Sequence, residues 1–321
     1  MATLRSCDGE YHALFGNSVK GLDQMTRLKP LKGIFPLMPL VLKKNQELDL
    51  QGLRDNIKAY EEAGFDGFIA FGCMGEFFAT SEKEFNEIVD VAVDETEKIA
   101  CVFGTMWHNT RECLRRTKYV EDAGADGAML GTPYLIPCLE EDVYEHFRLV
   151  DQQVESIQIM AYNNPFSFRF NMTSKFWRKL LKFHSITALK ESNGDAFHRM
   201  SVLKQIGHRI NVFSGTEPWL LSDVLSGGNS LVSLCGPATP KGAIGYYNAC
   251  INRDFEKAIP LAHALFDMLT DCAGNNEHAW LKAATELGGH KAGPPRSPYS
   301  PVSDEIVTKL KKSLKFVESM V

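Results

Sequence analysis

The chain has 321 residues, 44% hydrophobic and 23% charged, with 25 glycines and 14 prolines, a balance that suits a globular protein with a large core and excludes disordered and collagen-like chains. Its net charge is −5, from 40 acidic and 35 basic residues, and the lysines and arginines are scattered, so the basic footprint of a nucleic-acid binder is missing. Neither a run of about 20 apolar residues nor a signal-peptide core occurs, and a cytoplasmic location away from membranes is expected.

Residues 1 to about 28 show no clear period and are expected to form an N-terminal extension. The next segments read as alternating strands and helices. A phrase made of a helix end, a glycine, Asp-Gly and an apolar run occurs twice, as EEAGFDGFIAFG at 61–72 and EDAGADGAMLGT at 121–132. It describes a helix stopped by Gly64 or Gly124, a tight turn and a buried parallel strand. A degenerate copy, LSGGNSLVSLCG at 225–236, has Gly227 in the turn. In chain order, apolar runs bounded by turn residues lie at 33–41, 67–72, 99–106, 127–132, 157–162, 186–190, 212–214 and 231–235. Amphipathic segments such as 50–63 and 81–98 separate them, the second opening with Ser81 as N-cap.

Eight strands with intervening helices predict a (β/α)8 TIM barrel over 29–250 rather than an open sheet. Additional helical stretches, at 254–270, 277–287 and 304–320, predict a C-terminal helical layer over 251–321. The eight cysteines, Cys7, Cys73, Cys101, Cys113, Cys138, Cys235, Cys250 and Cys272, form no CxxC pair and share no zinc-like spacing with histidines. They read as thiols in a reducing compartment.

In such a barrel the reactive groups stand at the C-terminal ends of strands. The end of the sixth strand is ITALKESNGD, so Lys190 closes an apolar run. A lysine enclosed there is costly unless it is paired or functional. Burial lowers its pKa, and the neutral amine can then attack a ketone carbonyl to form an iminium that acts as an electron sink. The fifth strand ends in AYNNPF, which presents Tyr162 and Asn164. Tyr162 is a candidate proton relay, or else a core tyrosine with a satisfied hydroxyl. The second strand runs into GCMGEF, whose backbone N–H groups suit a substrate carboxylate, although an ordinary βα turn has the same sequence features. No metal or organic cofactor is implied, because the covalent lysine iminium takes that part. Two further positions invite a function: Glu217 and Trp219, after the seventh strand, can shape a pocket or simply pack. His108, after the third strand, can face the site or take a surface or capping role.

With these motifs in order, the chain resembles the dihydrodipicolinate synthase/N-acetylneuraminate lyase family of Schiff-base aldolases from about Gly33 onward. The resemblance rests on Gly72-Cys73-Met74-Gly75-Glu76, Gly131-Thr132-Pro133-Tyr134, Tyr162-Asn163-Asn164-Pro165, Lys190-Glu191 and Ser214-Gly215. It implies that Lys190 forms the Schiff base, that Tyr162 relays protons, and that Cys73, Met74 and Gly75 hold the carboxylate. Asn164, Thr105, Tyr134, Leu135, Glu217 and Val232 complete the implied substrate-binding set. The likeness is greatest to hydratase-aldolases that split benzylidenepyruvates into an aromatic aldehyde and pyruvate. The relevant stretches are 108–133, 164–177, 235–239 and 291–305.

Four positions depart from the family. Cys73 and Met74 stand where hydroxyl residues are usual, and Leu135 replaces a tyrosine or tryptophan. Ser167 occupies the place of the arginine that grips a semialdehyde carboxylate in the synthases, with Arg169 two residues on. With Met74, Leu135, Phe166 and Phe168 as lining, the expected partners are a 2-oxo acid and an apolar or aromatic aldehyde. The expected assembly is a homotetramer or dimer. The alternatives are a related 2-oxo acid dehydratase, a dihydrodipicolinate-synthase-type condensing enzyme, and a catalytically inactive binding barrel.

Overall fold

Apart from residue 28, the expected N-terminal extension lies outside the residues that the computed structural model describes, which are 28–270 and 276–321. The strands are β1 (Ile34–Pro36), β2 (Gly67–Ala70), β3 (Ala100–Gly104), β4 (Gly127–Gly131), β5 (Gln158–Asn163), β6 (Ile186–Glu191), β7 (Asn211–Ser214) and β8 (Ser230–Ser233). All pair in parallel, in the order β1-β8-β7-β6-β5-β4-β3-β2. A parallel bridge between Leu37 and Ile69, with Met38 N–H donating to the Ile69 carbonyl at 2.8 Å, joins the two ends and closes the ring. The result is the (β/α)8 TIM barrel.

Eight helices follow the eight strands: α1 (Leu50–Ala63), α2 (Glu82–Glu95), α3 (Thr110–Asp122), α4 (Glu140–Asp151), α5 (Ser174–Leu180), α6 (Ala196–Ile206), α7 (Glu217–Leu225) and α8 (Pro240–Ile251). Three more come after the barrel, α9 (Phe255–Thr270), α10 (Glu277–Leu287) and α11 (Asp304–Glu318). Ser81 caps α2 in a capping box with Glu84, satisfying two otherwise orphaned N–H groups. Gly64, Gly124 and Gly227 sit at φ of 88°, 89° and 97°, in the left-handed region that stops a helix cheaply only at glycine. The first strand is shorter than its apolar run because Pro36 and Pro39 bring no N–H to the ladder.

Strand residues are buried on both faces, as parallel sheets covered by helices require. Inside the ring Phe35 packs edge-on against Phe213, with centroids 5.1 Å apart. On the opposite, helix-facing side of the strands Phe68 meets Phe103 edge-on at 6.3 Å. No described helix is long and apolar enough to cross a membrane.

Candidate active site

Strand register brings the principal candidates together. Tyr162 on β5 pairs with Lys190 on β6, and Asn163 pairs with Glu191 one step further. Successive strand side chains alternate between faces, so one pair turns into the barrel and the other away from it. The inward pair is Lys190 and Tyr162, with the amine 4.5 Å from the ring centroid. The outward pair bonds directly: Asn163 Nδ2 donates to both Glu191 carboxylate oxygens, at 2.8 and 3.0 Å. Glu191 also accepts from Asn193 N–H at 2.8 Å and lies 3.3 Å from His198 Nε2. Asn163 Oδ1 accepts from Met172 N–H at 3.0 Å. These bonds fix the two strand ends, and with them the facing of Tyr162 and Lys190.

Lys190 is only 3% exposed. Burial in the barrel lowers its pKa from 10.5 to about 8, against smaller opposing pulls from Cys73 and Glu277. An amine with that pKa is neutral often enough near physiological pH to act as a nucleophile. Tyr162 is enclosed too, and burial first, then the neighbouring Cys73, push its hydroxyl well above the usual phenol range. Asn164 Nδ2 donates to the Tyr162 hydroxyl at 2.9 Å, while its Oδ1 accepts Ser167 N–H at 3.1 Å and so fixes the amide's orientation. The phenol therefore keeps its own proton for another acceptor. Its hydroxyl also meets the side chains of Ser192 and Cys73.

The turn after β2 supplies the third part. Cys73 is part-buried beside Tyr162, Ser167 and Lys190, and burial holds its thiol above the ordinary range although the lysine cation pulls it down. Gly75 is required there, because a Cβ would stand 2.9 Å from the Met38 carbonyl oxygen and 3.1 Å from Gly72 N. Phe71 and Glu76 bracket the turn at φ of 57° and 54°, a strained setting for residues with side chains that costs about 1–3 kcal/mol each. Glu76 is held in it from the C-terminal layer. Its carboxylate is 2.9 Å from Lys282 Nζ on α10 and accepts Arg296 N–H at 2.8 Å. Lys282 also donates to the carbonyls of Leu40 at 2.6 Å and Pro294 at 2.8 Å.

Sequence reasoning missed Lys282, Arg296, Ser192 and the Glu191 network. A lysine within the apolar HAWLKAA segment was the available signal for the first.

Other predicted residues are placed unevenly. Tyr134 packs on Phe77 at 5.7 Å and on Phe168 at 6.3 Å, and Phe168 stands edge-on to Tyr162 at 5.2 Å. Met74 and Phe168 are buried, but Leu135 is 67% and Phe166 92% exposed. Leu135 sits at φ 82°, with Arg169 Nη1 reaching its carbonyl at 3.5 Å, so neither Leu135 nor Phe166 lines the enclosed part of the site. Val232 lies on the interior face, since its register partner Phe35 packs on Phe213, which pairs with Lys190.

Thr105 turns the other way, toward α3. Its hydroxyl is 2.9 Å from that of Thr117, whose own proton goes to the Cys113 carbonyl at 2.7 Å. Glu217 is likewise spent inside the fold, accepting from Ser233 Oγ at 2.6 Å and Cys235 N–H at 2.9 Å to secure the end of β8. Burial raises its pKa. Trp219 stacks beneath the Arg199 guanidinium at 4.8 Å. His108 stacks on Trp107 and touches Tyr134.

Known proteins resemble this chain in sequence and fold. The family model described as the dihydrodipicolinate synthetase family matches residues 30–317. The 4-hydroxy-tetrahydrodipicolinate synthase of Methanosarcina acetivorans is 31% identical over 286 residues, 88% of this chain and 98% of that protein. A dihydrodipicolinate synthase crystal structure superposes with a TM-score of 0.83 at 27% identity, covering 90% of this chain and all of the other. YagE, a prophage protein of E. coli K12 solved in complex with pyruvate, superposes at 0.84 with 23% identity over 90% of this chain and 99% of its own. Members of the family are class I aldolases or lyases that use a Schiff-base lysine with pyruvate and need no external cofactor. A closed barrel with a buried lysine at a strand end, matched over nearly all its described length, places this chain in the dihydrodipicolinate synthetase family.

Proposed function

We propose that the protein is a hydratase-aldolase-like lyase, joining or cleaving a pyruvate-like 2-oxo acid and an apolar or aromatic aldehyde through an iminium on Lys190. The observation that carries this reading is the Lys190 amine set 4.5 Å from the Tyr162 ring centroid, with Phe168 edge-on to the same ring. The neutral amine adds to the ketone carbon and the carbinolamine loses water. In a 4-hydroxy-2-oxo acid the iminium then accepts the electron pair of the bond between C3 and C4. The C4 hydroxyl gives up its proton through Tyr162, the aldehyde leaves, and the enamine takes a proton at C3 before water frees the 2-oxo acid. In an unsaturated substrate the same iminium makes C4 electrophilic toward water, which would give hydration before cleavage. The turn after β2 receives the carboxylate through the backbone N–H groups of Cys73 and Met74, while Gly75 N–H closes the turn on the Gly72 carbonyl at 2.9 Å. A homotetramer or dimer goes with this reading, and light scattering of the native protein would measure it.

A second reading, condensation of the dihydrodipicolinate synthase type, is favoured by the 31% identity to a synthase. Ser167 weighs against it, since the expected arginine is absent there. Borohydride with pyruvate should add mass at Lys190 in the native protein and none in Lys190→Ala. Tyr162→Phe should still be trapped while kcat falls by about 10²–10⁴-fold. Label on another lysine would remove the reading. Product analysis with pyruvate and benzaldehyde, the semialdehyde or N-acetylmannosamine then separates the two activities, and a preference for the semialdehyde or the sugar would overturn the apolar acceptor.

A further inference from the structure

Arg116, on α3, is only 3% exposed. Its guanidinium carbon lies 4.1 Å from the ring centre of Trp107, in the segment after β3, and 4.7 Å from that of Phe85 on α2. Rings offset part of the desolvation of a cation, but its N–H groups still need acceptors. Nε and Nη1 are buried and have none. An arginine keeps its charge inside proteins, so this is an enclosed cation without a counter-ion.

The carboxylates nearest in the chain are used elsewhere. Glu112, one turn earlier on α3, is bonded by Arg115 Nε at 2.9 Å, and Arg115 Nη1 reaches Glu82 at 2.5 Å. Trp107 is fixed to α3 by its N–H, which donates to Cys113 Sγ at 3.1 Å, yet its ring is only part-buried. The cation therefore lies one ring below the surface, in a setting that the fold already holds in place. Four ring contacts separate it from the catalytic pair: Trp107 on His108 at 5.3 Å, His108 on Tyr134 at 6.1 Å, Tyr134 on Phe168 at 6.3 Å, and Phe168 on Tyr162 at 5.2 Å.

We infer that Arg116 is the centre of a binding site for a small carboxylate, held by the unpartnered N–H groups of its guanidinium and separate from the turn that receives the substrate. This goes beyond the lyase reading and does not depend on it. An enclosed cation is costly until a hydrogen-bonded anion answers it, and a flat carboxylate matches the fork of a guanidinium better than a spherical or tetrahedral anion does. Two charge-assisted hydrogen bonds support half-saturation at about 1–10 mM.

The test is a titration of the native protein with sodium acetate at constant ionic strength, set with sodium chloride, following tryptophan emission and the urea midpoint. Phosphate at equal ionic strength, in a parallel titration, should act more weakly than acetate. Acetate should change the emission saturably, through Trp107, and raise the midpoint. Arg116→Met, which keeps most of the side chain's bulk, should lose both responses. Lys190→Ala should keep both, which separates this position from the catalytic one. Trp107→Phe retains a ring beside the cation but removes the reporter, so its emission should stay flat while acetate still raises its midpoint. The inference is overturned if acetate changes neither quantity in the native protein, if phosphate acts as strongly as acetate, if a folded Arg116→Met responds like the native protein, or if Lys190→Ala loses the response. Should Arg116→Met not fold, Trp107→Phe decides, and an emission change that persists in it places the anion elsewhere.

Discussion

Lys190 carries a stability cost of the kind that the proposed iminium chemistry requires. Burial lowers its pKa to about 8 in the folded chain, while in the unfolded chain it returns to near 10.5. Between these values the unfolded state binds the proton more tightly, so this residue makes stability rise with pH across the window, and below about pH 8 the whole penalty is present. The displacement corresponds to about 3 kcal/mol. Lys190→Met should therefore abolish borohydride trapping yet raise the urea midpoint at pH 7, with a gain that shrinks toward pH 10. Equal midpoints for the two proteins at pH 7 would show that the lysine is not strained by burial.

Lys190 and Tyr162 were legible in the sequence because each closes an apolar run and their motifs follow in order. Thr105 and Glu217 were not. At a strand end the facing of a side chain depends on register and twist, and those are settled only when neighbouring strands pair.

At the scale of elements, the repeated glycine phrases, the Ser81 cap and the eight apolar runs were local signals, and the folded chain keeps them almost unshifted. The one-turn helix at Pro165–Phe168 was too short to have a period, although Asn164 caps it and Pro165 opens it. What joins β5 to β6 beyond the ladder is the Glu191 carboxylate, which serves Asn163, Asn193 and His198 at once. The Lys-Glu pair showed that a carboxylate was present, and alternation along the strand predicts that it faces away from the lysine. Asn193 and His198 follow it closely in the chain, but Asn163 reaches it from the neighbouring strand, a pairing that no local pattern shows. Glu191→Ala would leave Asn163 Nδ2 with Asn171 Oδ1, at 3.2 Å, and take the carboxylate from the part-buried Asn193 N–H, a loss of about 1–3 kcal/mol in urea unfolding. With Tyr162 less firmly aimed, kcat should fall more than KM rises. A variant as stable as the native protein would show that water replaces the carboxylate without cost.

At the scale of the whole molecule, the surplus helices after the barrel could be counted in the sequence, but their use could not be read there. The structure gives them one: α10 and the segment after it fasten the turn that carries Cys73, Met74 and Gly75. Glu76 and Lys282 are both almost wholly buried. Desolvation lowers the lysine's pKa, and the Glu76 charge opposes that shift. A buried pair of this kind adds little net stability over apolar residues of the same volume, but removing one partner leaves an uncompensated charge and costs about 3–5 kcal/mol.

Lys282→Met should thus lower the urea midpoint substantially and release Glu76 from its left-handed backbone setting. The turn bearing Cys73, Met74 and Gly75 would loosen, so the surviving folded protein should show a raised KM for the 2-oxo acid, while kcat at saturation stays closer to native because Lys190 and Tyr162 are held by other strands. Glu76→Gln combined with Lys282→Met removes both charges and should recover most of the midpoint without restoring KM. If the double variant is no more stable than Lys282→Met alone, the pair is not what fastens the turn. If KM stays native in both, the turn does not depend on the C-terminal layer for its shape.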